Sequence, residues 1–129
     1  MNYAVKIDTP PTTYTEGSPK PTQLHLTKGI LTDGVIYFPK GPAGLLHLVV
    51  KRALQQLLPA NKDKNYALND CVIPFRLNYS LDQPPYTLDV LTWNESSAYP
   101  HTLTFSINLE PWPEQTKKKG WLKRILKDG

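Results

Sequence analysis

The chain has 129 residues, 13 of them proline, and a formal net charge of +4. This length suits one domain with a real core, and the spread of prolines argues against a helical bundle and favours short strands joined by turns. A single cysteine excludes an intrachain disulfide. No apolar run is long enough to cross a membrane, and no secretory signal is present. We therefore expect a soluble, mainly β protein that is not secreted.

The positive charge belongs to the C-terminal end of the chain. From Glu114 onward there are six basic and two acidic residues, whereas residues 1–113 hold nine of each. A neutral body argues against nucleic-acid binding by the domain itself. The basic tail could still contact nucleic-acid phosphates, but only weakly and without sequence specificity.

Residues 1–22 predict an extended, proline-rich arm outside the domain. Prolines at this spacing prevent a helix and limit strand pairing. Too few large apolar residues are present for the segment to bury itself unaided. We expect the arm to be disordered alone or ordered against a partner. Its prolines are Pro10, Pro11, Pro19 and Pro21.

The next segment, 24–38, predicts a hairpin. Leu24, Leu26 and Ile30 lie on one face of a first strand, residues 33–34 (Asp-Gly) are a turn pair, and residues 35–38 form a second strand.

The longest apolar stretch, 45–58, is ambiguous between helix and strand. At helical spacing it places most of its apolar side chains on one face, with His47, Lys51 and Gln55 on the other. As a strand, its apolar character on both sides suits a position buried in a sandwich. Periodicity alone slightly favours one helix within this stretch.

Three strands are predicted at 71–79, 86–91 and 101–109. The last alternates without exception, with every apolar residue on one face and every polar residue on the other. Strands at this spacing, separated by turn residues, predict an antiparallel, jelly-roll-like β-sandwich over residues 23–113.

Residues 114–129 form a basic tail that predicts a short amphipathic helix. About two turns of helix are not stable alone in water, so the apolar face should dock on a partner protein. An unstructured solubilising tail is the alternative, and one short helix without a second anchor binds lipid only weakly. The predicted contact residues are Trp121, Leu122, Ile125 and Leu126, with Lys123 and Arg124 opposite.

No catalytic or metal motif is present in the sequence. His25, His47 and His101 lack ligand spacing, and Cys71 lies on the apolar face of a predicted strand, which indicates a buried core residue. We expect no metal, no cofactor and no enzymatic activity.

The loop 93–101 allows two interpretations. Aromatic rings that stack on sugars, beside polar groups that bond hydroxyls, would make it a carbohydrate site on a sandwich. A hairpin loop with an aromatic residue packed at its base is the commoner structural interpretation. The candidate ligand residues are Trp93, Asn94, Glu95, Tyr99 and His101.

Several short motifs resemble a group of small uncharacterised β-sandwich proteins from bacteriophage and metagenomic sources. The resemblance spans residues 27–110 and rests on Thr27-Lys28-Gly29, Gly41-Pro42-Ala43-Gly44-Leu45, Leu58-Pro59-Ala60-Asn61, Trp93-Asn94-Glu95 and Tyr99-Pro100-His101-Thr102. It implies a virion component and a strand rather than a helix at 45–50, leaves 51–58 open, and transfers no functional residue.

Arm, neutral core and amphipathic tail together predict a structural protein of a phage head or tail, located in the virion or the host cytoplasm. It would self-associate into a homo-oligomer and contact other virion proteins through the arm and tail. A carbohydrate-binding sandwich using the loop 93–101 is the alternative.

Overall fold

The computed structural model describes residues 1–61 and 64–112. This part of the chain contains strands and no α-helix, so it holds no helix that could span a membrane. The mainly β prediction is confirmed. The eight strands are β1 (Asn2–Thr9), β2 (Lys20–His25), β3 (Gly29–Phe38), β4 (Leu46–Arg52), β5 (Gln55–Leu58), β6 (Cys71–Leu81), β7 (Thr87–Asn94) and β8 (His101–Pro111).

The strands form two antiparallel four-stranded sheets that pack face to face as a sandwich. The first has the order β1-β8-β3-β6 and the second β2-β7-β4-β5. Within them β1 pairs with β8, β2 with β7, β3 with β6 and β4 with β5. These four pairings are those of one long antiparallel hairpin that is folded into two sheets. This strand order is that of a jelly roll.

The core lies between the sheets and is built by period-two alternation. In β8, Leu103, Phe105 and Ile107 point inward and are fully buried, whereas the intervening Thr and Ser side chains are partly exposed. Phe105 stacks on Phe75 of β6 with ring centroids 5.8 Å apart. The second sheet contributes alternating leucines and valines to the other side of the core: Leu46, Leu48, Val50, Leu88 and Val90.

The N-terminal segment is part of both sheets, which corrects the predicted arm. All eight residues of β1 pair with β8, and β2 pairs with β7 along its whole length. Ile7 is 2% exposed, so this segment contributes to the core. The prolines do not prevent this because three lie in the connection 10–19 and Pro21 lies in an edge strand, where a missing N–H costs no ladder bond.

The predicted 24–38 hairpin is also wrong. Asp33 and Gly34 lie within β3, where the register shifts by a β-bulge, and β2 belongs to the opposite sheet. A Cβ on Gly34 would lie 2.2 Å from the Ser106 carbonyl oxygen and 2.4 Å from Phe75 Cζ. The glycine therefore permits close approach of the β8 backbone and does not make a turn.

The central stretch 45–58 is the β4–β5 hairpin, so a helix here is wrong and the strand at 45–50 is confirmed. Six residues of β4 pair with β7. Ala53 has a φ of 53°, and Leu54 is 98% exposed at the turn, although the helical pattern places both on the apolar face. Cross-strand pairing decides the structure, because local periodicity fits either conformation.

Candidate functional site

The predicted tail contacts lie outside the described residues. They are Trp121, Leu122, Lys123, Arg124, Ile125 and Leu126. Within residues 1–61 and 64–112, no group of three or more His, Cys, Asp or Glu side chains could hold a metal ion. Cys71, predicted as a buried core residue, is instead partly exposed at the start of β6.

Trp93 packs on the outer face of the second sheet. It ends up 4% exposed because its ring stacks on His47 of β4, with centroids 4.9 Å apart and planes 1° from parallel. The two residues are cross-strand partners, so the β4–β7 register sets this contact. The ring therefore cannot offer an open face to a sugar.

Asn94 is a buried structural residue that holds the β7–β8 loop. Its side-chain Nδ2 donates to the carbonyl oxygens of Thr9 at 3.0 Å and Tyr99 at 2.8 Å, and its Oδ1 accepts from the Ser96 N–H at 2.9 Å. These three bonds tie the loop to the end of β1. Asn94 is fully buried and both of its N–H donors are used, so it cannot contact a ligand in solvent.

His47 has an oxygen beside each ring nitrogen. Nδ1 lies 2.7 Å from Asn65 Oδ1, and Nε2 lies 2.6 Å from Glu95 Oε1. The second contact is short but does not have the geometry of a hydrogen bond. It is an ion pair when the ring is protonated. The cluster fixes His47 in place beside Trp93.

The remaining loop residues lie elsewhere. Tyr99 is 70% exposed, and His101 begins β8 and is only partly exposed. The five residues predicted as a ligand loop therefore do not share one exposed surface. Trp93 and Asn94 support the fold, Glu95 pairs with His47, and Tyr99 stands apart.

A groove lies beside Trp93 on the outer face of the second sheet. Val49 of β4 and its cross-strand partner Leu91 of β7 form the floor with the edge of Trp93. The β1–β2 connection forms one wall and the β5–β6 connection the other, enclosing about 340 Å³. The wall residues include Glu16, Gly17, Pro19, Gln56, Lys64 and Asn65.

The wall on the β5 side is held by Gln56. Its Nε2 lies within 2.8–3.1 Å of the carbonyl oxygens of Pro59, Asn61 and Lys64. Backbone pairing of Tyr66 with Leu48 then fixes the end of the connection against β4. The groove wall is therefore attached to the sheet at two points.

A second cavity of about 340 Å³ lies beside the groove at Trp93. Thr12, Tyr14 and Glu16 line it from the β1–β2 connection, and Trp93 and Glu95 line it from β7. Glu16 and Trp93 border both cavities, so the two are adjacent.

The outer face of the first sheet carries the other notable surface, which we call the apolar face: Val35, Tyr37, Val72 and Pro74. Tyr37 pairs with Val72, and Val35 pairs with Pro74, in neighbouring rows of β3 and β6. Val35, Tyr37 and Val72 are 37%, 44% and 55% exposed. Neither this face nor the groove floor was predicted from the sequence. The signal that could have found them is an apolar residue on the solvent side of a strand, such as Val35, Tyr37 or Leu91.

No protein family, curated protein or solved structure gives a significant match to the chain.

Proposed function

We propose that this chain is a non-enzymatic structural protein that assembles with copies of itself as a component of a bacteriophage head or tail. The apolar face carries the assembly part of the proposal. Large apolar side chains clustered on a sheet face are typical of protein contacts, whereas single exposed ones are ordinary. The virion context rests on the resemblance of residues 27–110 to phage and metagenomic sandwich proteins.

The shape of the first sheet favours packing by a second protein. Its outer rows run from β1 to β6 as Lys6, Thr104, Tyr37, Val72 and as Ala4, Ser106, Val35, Pro74. Small side chains in the middle of these rows leave a low, open face beside the apolar residues. Such a face can pack on another sheet at about 10 Å, as the two sheets of the sandwich do.

Charge favours a second copy as the occupant of this face. Lys6 and Asp8 lie on the β1 side, and Asp33 and Arg76 pair on the β3–β6 side. The face therefore carries charges of both signs, and two identical faces need not repel each other.

Packing through the face is favoured over pairing through the β6 edge. Pro74 lies in this edge strand and lacks the N–H that an added strand would require. The apolar side chains next to it stay available. Other virion proteins would bind at the remaining surfaces, with the tail 114–129 as a further proposed contact.

Light scattering with size-exclusion chromatography tests the proposal. We expect the full chain to form a defined oligomer, and Tyr37→Asp to weaken it about tenfold or more, since a charge would enter an apolar contact. Leu54→Asp is the matched control, because Leu54 is 98% exposed but lies at the β4–β5 turn. A chain ending at Pro113 measures the contribution of the tail.

A full chain that stays monomeric across the concentration range would contradict the assembly proposal. Equal disruption by Tyr37→Asp and Leu54→Asp would contradict the assignment of the apolar face. Thermal unfolding of each variant shows whether its fold is intact.

A further inference from the structure

The groove lies on the outer face of the second sheet. Its floor spans β4 and β7, two strands about 4.8 Å apart, and its walls rise on both flanks. The groove has a volume of about 340 Å³, which falls in the size range of small-ligand sites. An open groove of this volume, with a floor that crosses two strands, suits a short chain of small units.

The floor offers apolar surface without an open aromatic face. Leu91 is partly exposed, whereas Val49 and Trp93 are 7% and 4% exposed and contribute edges. An apolar floor with a polar rim fits a pyranose ring, which has C–H groups on its faces and hydroxyl groups around its perimeter.

Two cations lie on the β5 side of the groove, and Glu16 lies on the opposite wall. Lys51 and Lys64 line the same cavity, and neither forms a salt bridge within the described part of the chain. Asn65 Oδ1 accepts a hydrogen bond from His47 Nδ1, so the Asn65 amide nitrogen is left to donate to a ligand. Lys51 at the edge of the floor and Lys64 and Asn65 on the adjacent wall therefore place three donors on the β5 side. This arrangement favours a ligand whose anionic groups lie along the β5 side.

We propose that this groove binds an acidic oligosaccharide, with Lys51 and Lys64 contacting its carboxylates and Val49 and Leu91 packing against its rings. The ligand site uses a different set of residues from the loop 93–101. It also lies on the sheet opposite the apolar face, so it is independent of the proposed assembly and can fail without affecting it.

An NMR titration of the ¹⁵N-labelled chain tests the site. The probes are an oligogalacturonate, a neutral malto-oligosaccharide of the same length and a poly-glutamate peptide with the same number of carboxylates. We expect the oligogalacturonate to shift the amides of β4 and β7, to bind more weakly as salt rises, and to bind at least about tenfold tighter than the neutral sugar.

The double variant Lys51→Ala/Lys64→Ala should weaken oligogalacturonate binding about tenfold or more, from the loss of two charge-assisted contacts. Lys40→Ala is the matched control, since Lys40 is an exposed lysine in the β3–β4 connection. Absence of shifts in β4 and β7 would overturn the proposal. So would equal weakening by Lys40→Ala, or equal affinity for the neutral sugar or for poly-glutamate.

Discussion

His47 of β4 stacks flat on Trp93 of β7, with ring planes 1° from parallel, and Trp93 borders the groove floor. The contact removes Trp93 from solvent and places the His47 nitrogens beside Asn65 and Glu95. A tryptophan next to a polar loop, which is typical of a sugar-binding surface, is here part of the packing between two strands.

Truncation of Trp93 should therefore destabilise the protein. Trp93→Ala removes a buried ring and its stacking on His47, and we expect a loss of about 3–5 kcal/mol in the free energy of unfolding. Tyr99→Ala is the control, since Tyr99 is 70% exposed, and should stay within about 0.5 kcal/mol of the parent. Urea unfolding measures both, and similar small losses would show that Trp93 is not a packing residue.

Loss of the Asn94 side chain should also be costly. Asn94→Ala leaves the Ser96 N–H and the carbonyl oxygens of Thr9 and Tyr99 without their partner. Unpaired buried polar groups predict a loss on the order of 3 kcal/mol. Asn78→Ala removes an exposed amide from β6 and should change the free energy of unfolding little. Denaturant titration compares the two, and a near-neutral Asn94→Ala would contradict the role of the loop anchor.

Two glycines differ in the space around them. Gly34→Ala would force a Cβ against the β8 backbone and Phe75, so we expect a loss of about 1–3 kcal/mol or a failure to fold. Gly17 has nothing within 4 Å, so Gly17→Ala should be neutral or slightly stabilising. Melting temperatures distinguish them, and equal values would mean that the bulge readily adjusts.

The Asp33 carboxylate should make stability depend on acid pH. The Asn108 side-chain amide, which donates to Asp33 Oδ1 at 3.1 Å, and secondarily the Thr32 hydroxyl lower the pKa of Asp33 below its usual 3.8. A lowered pKa in the folded state gives stabilisation that is present above the unfolded-state pKa and is lost as the pH falls through the folded-state pKa.

Asn108→Ala should therefore raise the pKa of Asp33 toward its usual value, as measured by NMR titration of the carboxyl carbon. The stability difference between parent and variant should shrink as the pH falls below about 4. An unchanged Asp33 titration in the variant would show that the amide does not act on the carboxylate.

Local pattern alone predicted the sheet class and much of the core. The alternation of 101–109 identified β8 and the inward direction of Leu103, Phe105 and Ile107, because a strand with one dry face needs a period of two. Turn residues between such strands were enough to predict antiparallel sheets. From the sequence, Trp93 was a candidate ligand residue. Its burial could not be predicted, because it depends on stacking against His47 in another strand.

The tertiary structure decided what local pattern left open. It placed β1 and β2 in opposite sheets, made 45–58 a hairpin and moved Gly34 from a turn to a bulge, because long-range pairing with β7 and β8 outweighs local preference. The groove likewise exists only where two distant connections rise beside β4 and β7. The sequence by itself determined which residues are apolar and how they alternate, whereas the pairing of distant strands determined which of them meet.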